Sequence, residues 1–420
     1  MGTSPWGTFF ALLLLLPTAT CLAEDGGNDS VPGHWGAGVA VLPGKVIVMD
    51  QYQRKWQKGR NNCSVDLTAF YQPLPSDSDD FARDYGYPTF NFGLRYSFDH
   101  GVTMHREPDS SWGLSETVDY YSHMGNIVSA FAGFERPLWR TRHWMVDYQL
   151  DFGLSYSHRK YDPNNNVDDE LIGSRLLIFF GAGLHLTNHF TPTWGLRMGL
   201  EYYHHSNGAL NRPNKGANFL APTVGLVYEP YYNRLVSDAH SYTARDFHPY
   251  WTGSVSVGLG AKTLDEDWQI TQFGTAPGES GYHTSRFHVY RSYTVAADVM
   301  RRYARRWASG IGVDVWYGDY YKHVREVNEE RGSDSNVTPW SVGVAARHAV
   351  YYHQWSLQMS LGYYLLRRMG GMAKQQEQRY YEKIGIHYDF GHFRFGVNVK
   401  AHRTKADLTE ALIAYRWQSR

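Results

Sequence analysis

The sequence predicts an all-β fold, a transmembrane antiparallel β-barrel, and three observations carry that expectation. Apolar and polar residues alternate with period two through most of the 420 residues, which places them on opposite faces of strands. Aromatic residues make up 16% of the chain, with 32 Tyr and 14 Trp, a composition that suits the aromatic girdles of a membrane barrel. Mean hydropathy is −0.49, and beyond the N-terminus no apolar stretch reaches the roughly 18 residues of a helical span. A chain of this kind crosses a membrane with strands.

The N-terminus is set aside first. The apolar run from Phe9 to Pro17 is followed by Cys21-Leu22-Ala23 before Glu24, which reads as an export signal over residues 1–23, although no Lys or Arg precedes the apolar core. Cys21 is alternatively a lipidation site, but Thr20 before it is a poor match to a lipobox. Cleavage after Ala23 leaves Cys63 as the one cysteine of the mature chain, so no internal disulfide is expected. A short N-terminal segment, 24–33, precedes the first strands.

The strands follow in order. In 144–157, Trp144, Val146, Tyr148, Leu150, Phe152, Leu154 and Tyr156 alternate with Asp147, Gln149, Asp151 and Ser155, and about 9 to 11 tilted residues suffice to span. Comparable runs are 89–98, 176–186, 251–261, 311–317, 355–365 and 384–390. Turn-rich polar stretches separate them at 73–83, 105–115, 162–169, 263–285, 324–338 and 369–378. They alternate with short connections such as 389–392, as expected of a barrel with long loops at one end and tight turns at the other. A soluble sandwich would show the same alternation in shorter strands.

The two halves, 34–229 and 250–417, are weakly related. His34-Trp35-Gly36-Ala37-Gly38-Val39 opens one and Tyr250-Trp251-Thr252-Gly253-Ser254-Val255 opens the other. Each ends on a hairpin, and the polar, aromatic stretch from Pro230 to Pro249 is the joint. Closure removes sheet edges and satisfies every backbone group in lipid. The expectation is therefore one barrel of about 14–16 strands, with two eight-stranded barrels as the alternative.

Charge excludes one class of partner. Lys plus Arg and Asp plus Glu both number 41, so the formal net charge of zero gives no electrostatic reason to expect nucleic acid. His, Cys and carboxylates show no metal-ligand spacing and no Gly-rich phosphate loop occurs, so neither metal nor cofactor is expected. Gly38, Gly258 and Gly260 read as strand glycines of a tightly packed wall.

The chemistry concentrates in 194–218. Trp194, Leu196, Met198, Leu200, Tyr202, His204 and Ser206 share one face of a strand, while Gly195, Arg197, Gly199, Glu201, Tyr203 and His205 share the other. The next run begins at Asn218 and continues on its apolar face with Leu220, Pro222, Val224, Leu226 and Tyr228. A hairpin joining them gathers His204, Ser206 and Asn218 at the extracellular rim of a lipid-facing wall: a base, a nucleophile and an orienter. The bland alternative is interfacial polar residues at a strand end. His205 points to the lumen as a packing or hydrogen-bonding residue.

His204-His205-Ser206-Asn207-Gly208, followed by Asn211-Arg212-Pro213-Asn214-Lys215-Gly216-Ala217-Asn218, resembles the His-x-Ser-Asn signature and trailing Pro-Asn-x-Gly of the PagL-type outer-membrane lipid A 3-O-deacylases. Ser174-Arg175-Leu176 and the strand after it also resemble that family, and the resemblance is clearest over 170–228. It implies that Ser206 is the nucleophile and His204 the general base of an ester hydrolysis that releases a 3-hydroxyacyl chain from lipid A. The family's Glu falls on Asn218, a departure, since an amide holds the imidazole's orientation but supplies no charge to stabilise imidazolium. Activity is still expected. Asn207 and the Gly208 backbone are oxyanion-hole candidates, and Trp194, Leu196, Met198 and Leu200 would form the acyl-chain groove.

The second half offers His402, Thr404 and Glu410, but their parity places them inside, beside Arg394, Asn398 and Lys400, as a polar lumen network. The resemblance implies a bacterial outer-membrane, multi-pass protein whose partners are lipopolysaccharide, as lipid A substrate, and outer-membrane lipid. The rival reading is a non-catalytic barrel, either channel or structural, and a third is a phospholipase.

Overall fold

The computed structural model describes residues 33–107, 121–276, 278–375, 378–403 and 405–419; the export signal and Thr404 lie outside them. Sixteen long strands form two closed eight-stranded antiparallel barrels. The first comprises β1 (Trp35–Val46), β2 (Asn61–Tyr71), β3 (Thr89–Phe98), β4 (Ile127–Arg140), β5 (Trp144–Ser157), β6 (Leu176–His189), β7 (Trp194–Ser206) and β8 (Ala217–Tyr228), with β1 closing on β8. The second comprises β9 (Tyr250–Lys262), β10 (Tyr290–Arg302), β11 (Trp307–Gly318), β12 (Trp340–Tyr352), β13 (Trp355–Leu366), β14 (Tyr380–Phe390), β15 (Phe393–His402) and β16 (Lys405–Gln418), with β9 closing on β16.

The expected single barrel of about 14–16 strands is therefore corrected to the two-barrel alternative. Ala37 to Val46 pairs with β8, and Thr252 to Ala261 pairs with β16. Each set of eight thus satisfies its own edges before the joint is reached, and no unpaired strand remains to drive a merger. Eight strands also give an interior that side chains can fill.

They do fill it. In the first lumen Arg95 donates to Asp66 at 2.7 and 2.6 Å and to Glu201 at 2.7 Å. His185 bridges Glu201 and Asp147, and Arg197 pairs with Glu135. Toward the β7–β8 loop this ionic layer gives way to Phe131, Phe179, Tyr203 and Phe219, which pack with Leu171 and Ile172 from a loop. In the second lumen Asp314 accepts from Arg347, Tyr381 and Lys383 at 2.9, 2.7 and 2.5 Å. The ions named here are tolerable because they are paired, and removing one partner of such a pair would cost about 3–5 kcal/mol. Glu410 accepts from Thr294 and Asn398, and His402 bonds Tyr364, so both are lumen residues, as their parity predicts.

The outer walls are apolar. Leu67, Leu94, Val128, Val224, Val257, Val299, Ile311 and Leu361 are all exposed. Seven of the eight exposed tryptophans among the described residues collect where the strands meet their short turns, Trp35, Trp139, Trp144, Trp194, Trp251, Trp355 and Trp417, while Trp340 lies at the long-loop end. That ring is the girdle of a membrane–water interface.

The segment 73–83 departs from its expected place among the long loops. It lies at the short-turn end and runs into the helix α1 (Asp80–Tyr85). Asp79 caps the helix by accepting from the Phe81 N–H at 2.8 Å, and Gly86, at φ +76°, ends it. Its carboxylates bind the second barrel: Asp80 and Asp84 take Arg305, and Asp79 takes Tyr352 and His353. Ala82, Leu74 and Tyr87 are buried with Tyr231 and Leu235 of the joint.

Candidate active site

β7 and β8 form the hairpin predicted from sequence, and their register pairs His204 directly with Asn218. Both lie on the outward row, where cross-strand neighbours come within about 5 Å. His204 Nδ1 and Asn218 Oδ1 are 2.8 Å apart. The same oxygen accepts from the Tyr202 hydroxyl at 2.6 Å, and Asn218 Nδ2 donates to the Gly216 carbonyl at 3.4 Å. These bonds fix which way the amide faces, so its oxygen meets the imidazole, which is then the Nδ1–H tautomer. Ser206 is the next outward position after His204, opposite Ile178 of β6, and is 9% exposed.

Gly216 is the site's steric concession. It sits at φ +78°, and a Cβ there would lie 2.6 Å from His204 Cε1. Only glycine allows both the left-handed backbone and the ring's position.

The connecting loop is tied to its neighbour, 158–175. Lys215 and Gly216 donate their N–H groups to the carbonyls of Glu170 and Leu171, each at 3.1 Å, and Asn211 Nδ2 donates to Gly173 O at 2.7 Å. Behind it, burial pushes the Asp169 carboxyl up to about 7, against N–H groups of Ile172 and Leu171 and the Asn166 amide that pull it down. Asn207 has its donors committed: its N–H goes to Asn214 Oδ1 at 2.9 Å and Nδ2 goes to Ser174 Oγ and Asn211 O at 3.2 and 3.1 Å. Of the two oxyanion candidates, Asn207 is therefore occupied in shaping the loop. The Gly208 N–H has no acceptor among the described residues.

Trp194, Leu196, Met198 and Leu200 form an exposed outward row leading to the site, between 36% and 50% accessible. A flexible chain lying along β7 would meet apolar surface from the Trp girdle up to Tyr202. On the opposite face His205 is fully buried, with Nδ1 3.1 Å from Ser155 Oγ and its ring edge-on to Tyr203 and Phe219. Tyr202 was not given a role from sequence, and Asn214 was read only as part of the Pro-Asn-x-Gly signature. Tyr202 could have been found from parity, since it is the outward neighbour of His204. Asn214 acts from a loop, where parity says nothing.

Comparison with known proteins now bears on this hairpin. Residues 90–227 match the family model for lipid A 3-O-deacylase (PagL), and residues 251–419 match that for the acyloxyacyl hydrolase C-terminal domain. The first match contains His204, Ser206 and Asn218, and together the two span about three quarters of the chain. The chain belongs to the lipid A 3-O-deacylase family. Membership makes it an outer-membrane β-barrel protein of a hydrolase family that acts on lipid A.

Among solved structures, the chain is similar to Neisserial surface protein A at 11% identity, over 47% of this chain and 97% of that one, with a TM-score of 0.28. It is also similar to the outer-membrane enzyme PagL at 13% identity, over 46% of this chain and 99% of that one, with a TM-score of 0.25. No curated protein matches the chain significantly.

Proposed function

We propose that this deacylase-family protein is a serine esterase that removes a 3-hydroxyacyl chain from lipid A, with Ser206 as nucleophile, His204 as general base and Asn218 as orienter. The observation that carries the reading is the 2.8 Å contact between His204 Nδ1 and Asn218 Oδ1 on the lipid-facing row that also bears Ser206. With Nδ1 holding its proton against Asn218, Nε2 is the basic nitrogen. It accepts the Ser206 proton as Oγ attacks the ester carbonyl, then returns it to the sugar oxygen as the acyl-enzyme forms; water releases the acid by the same steps in reverse roles. The Gly208 N–H stabilises the developing oxyanion.

Placement supports the substrate. An acyl chain would lie along Leu200, Met198, Leu196 and Trp194, with the phosphosugar among the loops at the β7–β8 end. No cofactor enters the mechanism. The lumens argue against a channel, since ion pairs and aromatic side chains occupy both. Mass spectrometry of lipid A from cells carrying wild type or Ser206→Ala is the test. Loss of one 3-hydroxyacyl mass with wild type alone is expected; identical spectra with protein present in the outer membrane would overturn the reading.

A further inference from the structure

We propose that the second barrel is a positioning clamp for the loop that carries the oxyanion donor of the first, with Thr409 and Thr263 as its positioning residues. The inference rests on the proposed esterase reading and assigns the second barrel a task within it.

The loop after Ser206 turns through two consecutive left-handed residues, Gly208 at φ +63° and Ala209 at φ +69°. The second of these is not glycine, so something must hold the backbone in a conformation that an L residue seldom adopts. The second barrel holds it. Thr409 Oγ1 donates to the Gly208 carbonyl at 2.7 Å. The Ala209 carbonyl accepts from both the N–H and the hydroxyl of Thr263, at 2.8 and 2.9 Å. Arg212, further along the loop, bonds Asp265 and the Thr263 carbonyl, each at 3.0 Å.

These bonds fix successive peptide planes. A trans peptide is rigid, so holding its carbonyl also sets its N–H. Thr409 sets the plane joining 208 to 209, and Thr263 sets the plane joining 209 to 210. The Leu210 N–H so placed donates to the Asn207 carbonyl at 3.2 Å, which sets the plane carrying the Gly208 N–H. The oxyanion donor is thus oriented by a relay that starts on the second barrel.

Sequence and packing agree. Thr409 lies on the outward row of β16 with Ala411, Ile413, Tyr415 and Trp417, a row facing lipid elsewhere, where a hydroxyl needs a partner. The Gly208 carbonyl is that partner. A Cβ at Gly208 would come within 2.4 Å of Thr409 Oγ1 and 2.9 Å of Ile178 Cδ1, so the clamp closes on a glycine. Ala209 and Thr263 are both fully buried.

The test compares Thr409→Val, which keeps shape and loses the donor, with Thr409→Ser, which keeps the donor. Two readouts are taken on folded, heat-modifiable full-length protein: kcat and KM for lipid A hydrolysis, and amide hydrogen exchange over 207–212. Thr409→Val should lower kcat about tenfold, the effect of one well-placed hydrogen bond, leave KM unchanged and speed exchange. Thr409→Ser should restore both. A Val variant within about twofold of wild type in kcat, with unaltered exchange, overturns the clamp. Absence of hydrolysis by wild type would count against the esterase reading instead, and exchange alone would then decide the clamp.

Discussion

Asn218 accepts from both His204 and Tyr202 through a single oxygen, so the amide does by geometry much of what a carboxylate does by charge. What it lacks is the charge itself. Asn218→Asp should therefore raise kcat by about tenfold or more, because the imidazolium formed as Ser206 attacks would gain a counter-ion. Asn218→Ala should lower it by a comparable factor by freeing the ring. Steady-state hydrolysis of lipid A in detergent measures both, and an Asp variant no faster than wild type would show that orientation alone limits the rate.

Gly216→Ala tests the other constraint on the same ring. The added methyl meets His204 Cε1 at 2.6 Å on a backbone at φ +78°, so either the imidazole or the loop gives way. The expected cost is about 1 kcal/mol of stability from the left-handed backbone, with a much larger fractional loss of activity. Urea titration against kcat separates them. Equal proportional losses would mean that the glycine serves only the turn.

The placement of the candidate residues was readable because parity carries chemical information in a strand. The outward positions of 194–206 and 218–228 place His204, Ser206 and Asn218 on one wall, and the structure puts His204 opposite Asn218. Barrel number was not readable. Alternation specifies which face a residue takes but not where the ladder closes, and the decisive pairings, Val39 with Leu226 and Val257 with Ile413, join residues far apart in the chain. Helix α1 was hidden for a different reason: it is short, and what holds it is the second barrel and the joint. The contacts of Gly208 and Ala209 with Thr409 and Thr263 were equally out of reach, since no local pattern links a loop to a wall that begins after the joint.

Arg305→Ala should loosen the joint between the barrels at the short-turn end. One guanidinium there serves Asp80 at 2.9 Å and Asp84 at 3.0 Å, and its loss leaves the buried Asp80 with only Tyr242 and Arg245 and the half-buried Asp84 without this ion pair. A stability loss of about 1–3 kcal/mol is expected, with faster proteolysis across 73–88. Deacylation should change little, because the hairpin proposed to be catalytic lies at the other end of the strands. A variant that lost activity while resisting protease would show coupling along the barrel instead.

Asp99, in the loop that follows β3, makes stability depend on pH. It is fully buried, and burial pushes its carboxyl from 3.8 up to about 8, with the Asn62 amide offsetting part of the shift. Below the unfolded value both states hold the proton and the group is neutral in effect. As pH rises from about 4 to 8 only the folded state holds it, so stability falls by up to about 1.4 kcal/mol per pH unit, levelling off once the folded state ionises. Asp99→Asn keeps the shape without the titration. The difference in unfolding free energy between variant and wild type should therefore grow from pH 4 to pH 8 in the variant's favour. Parallel pH profiles for the two proteins would show that Asp99 ionises without penalty, and that its surroundings open to admit water when it does.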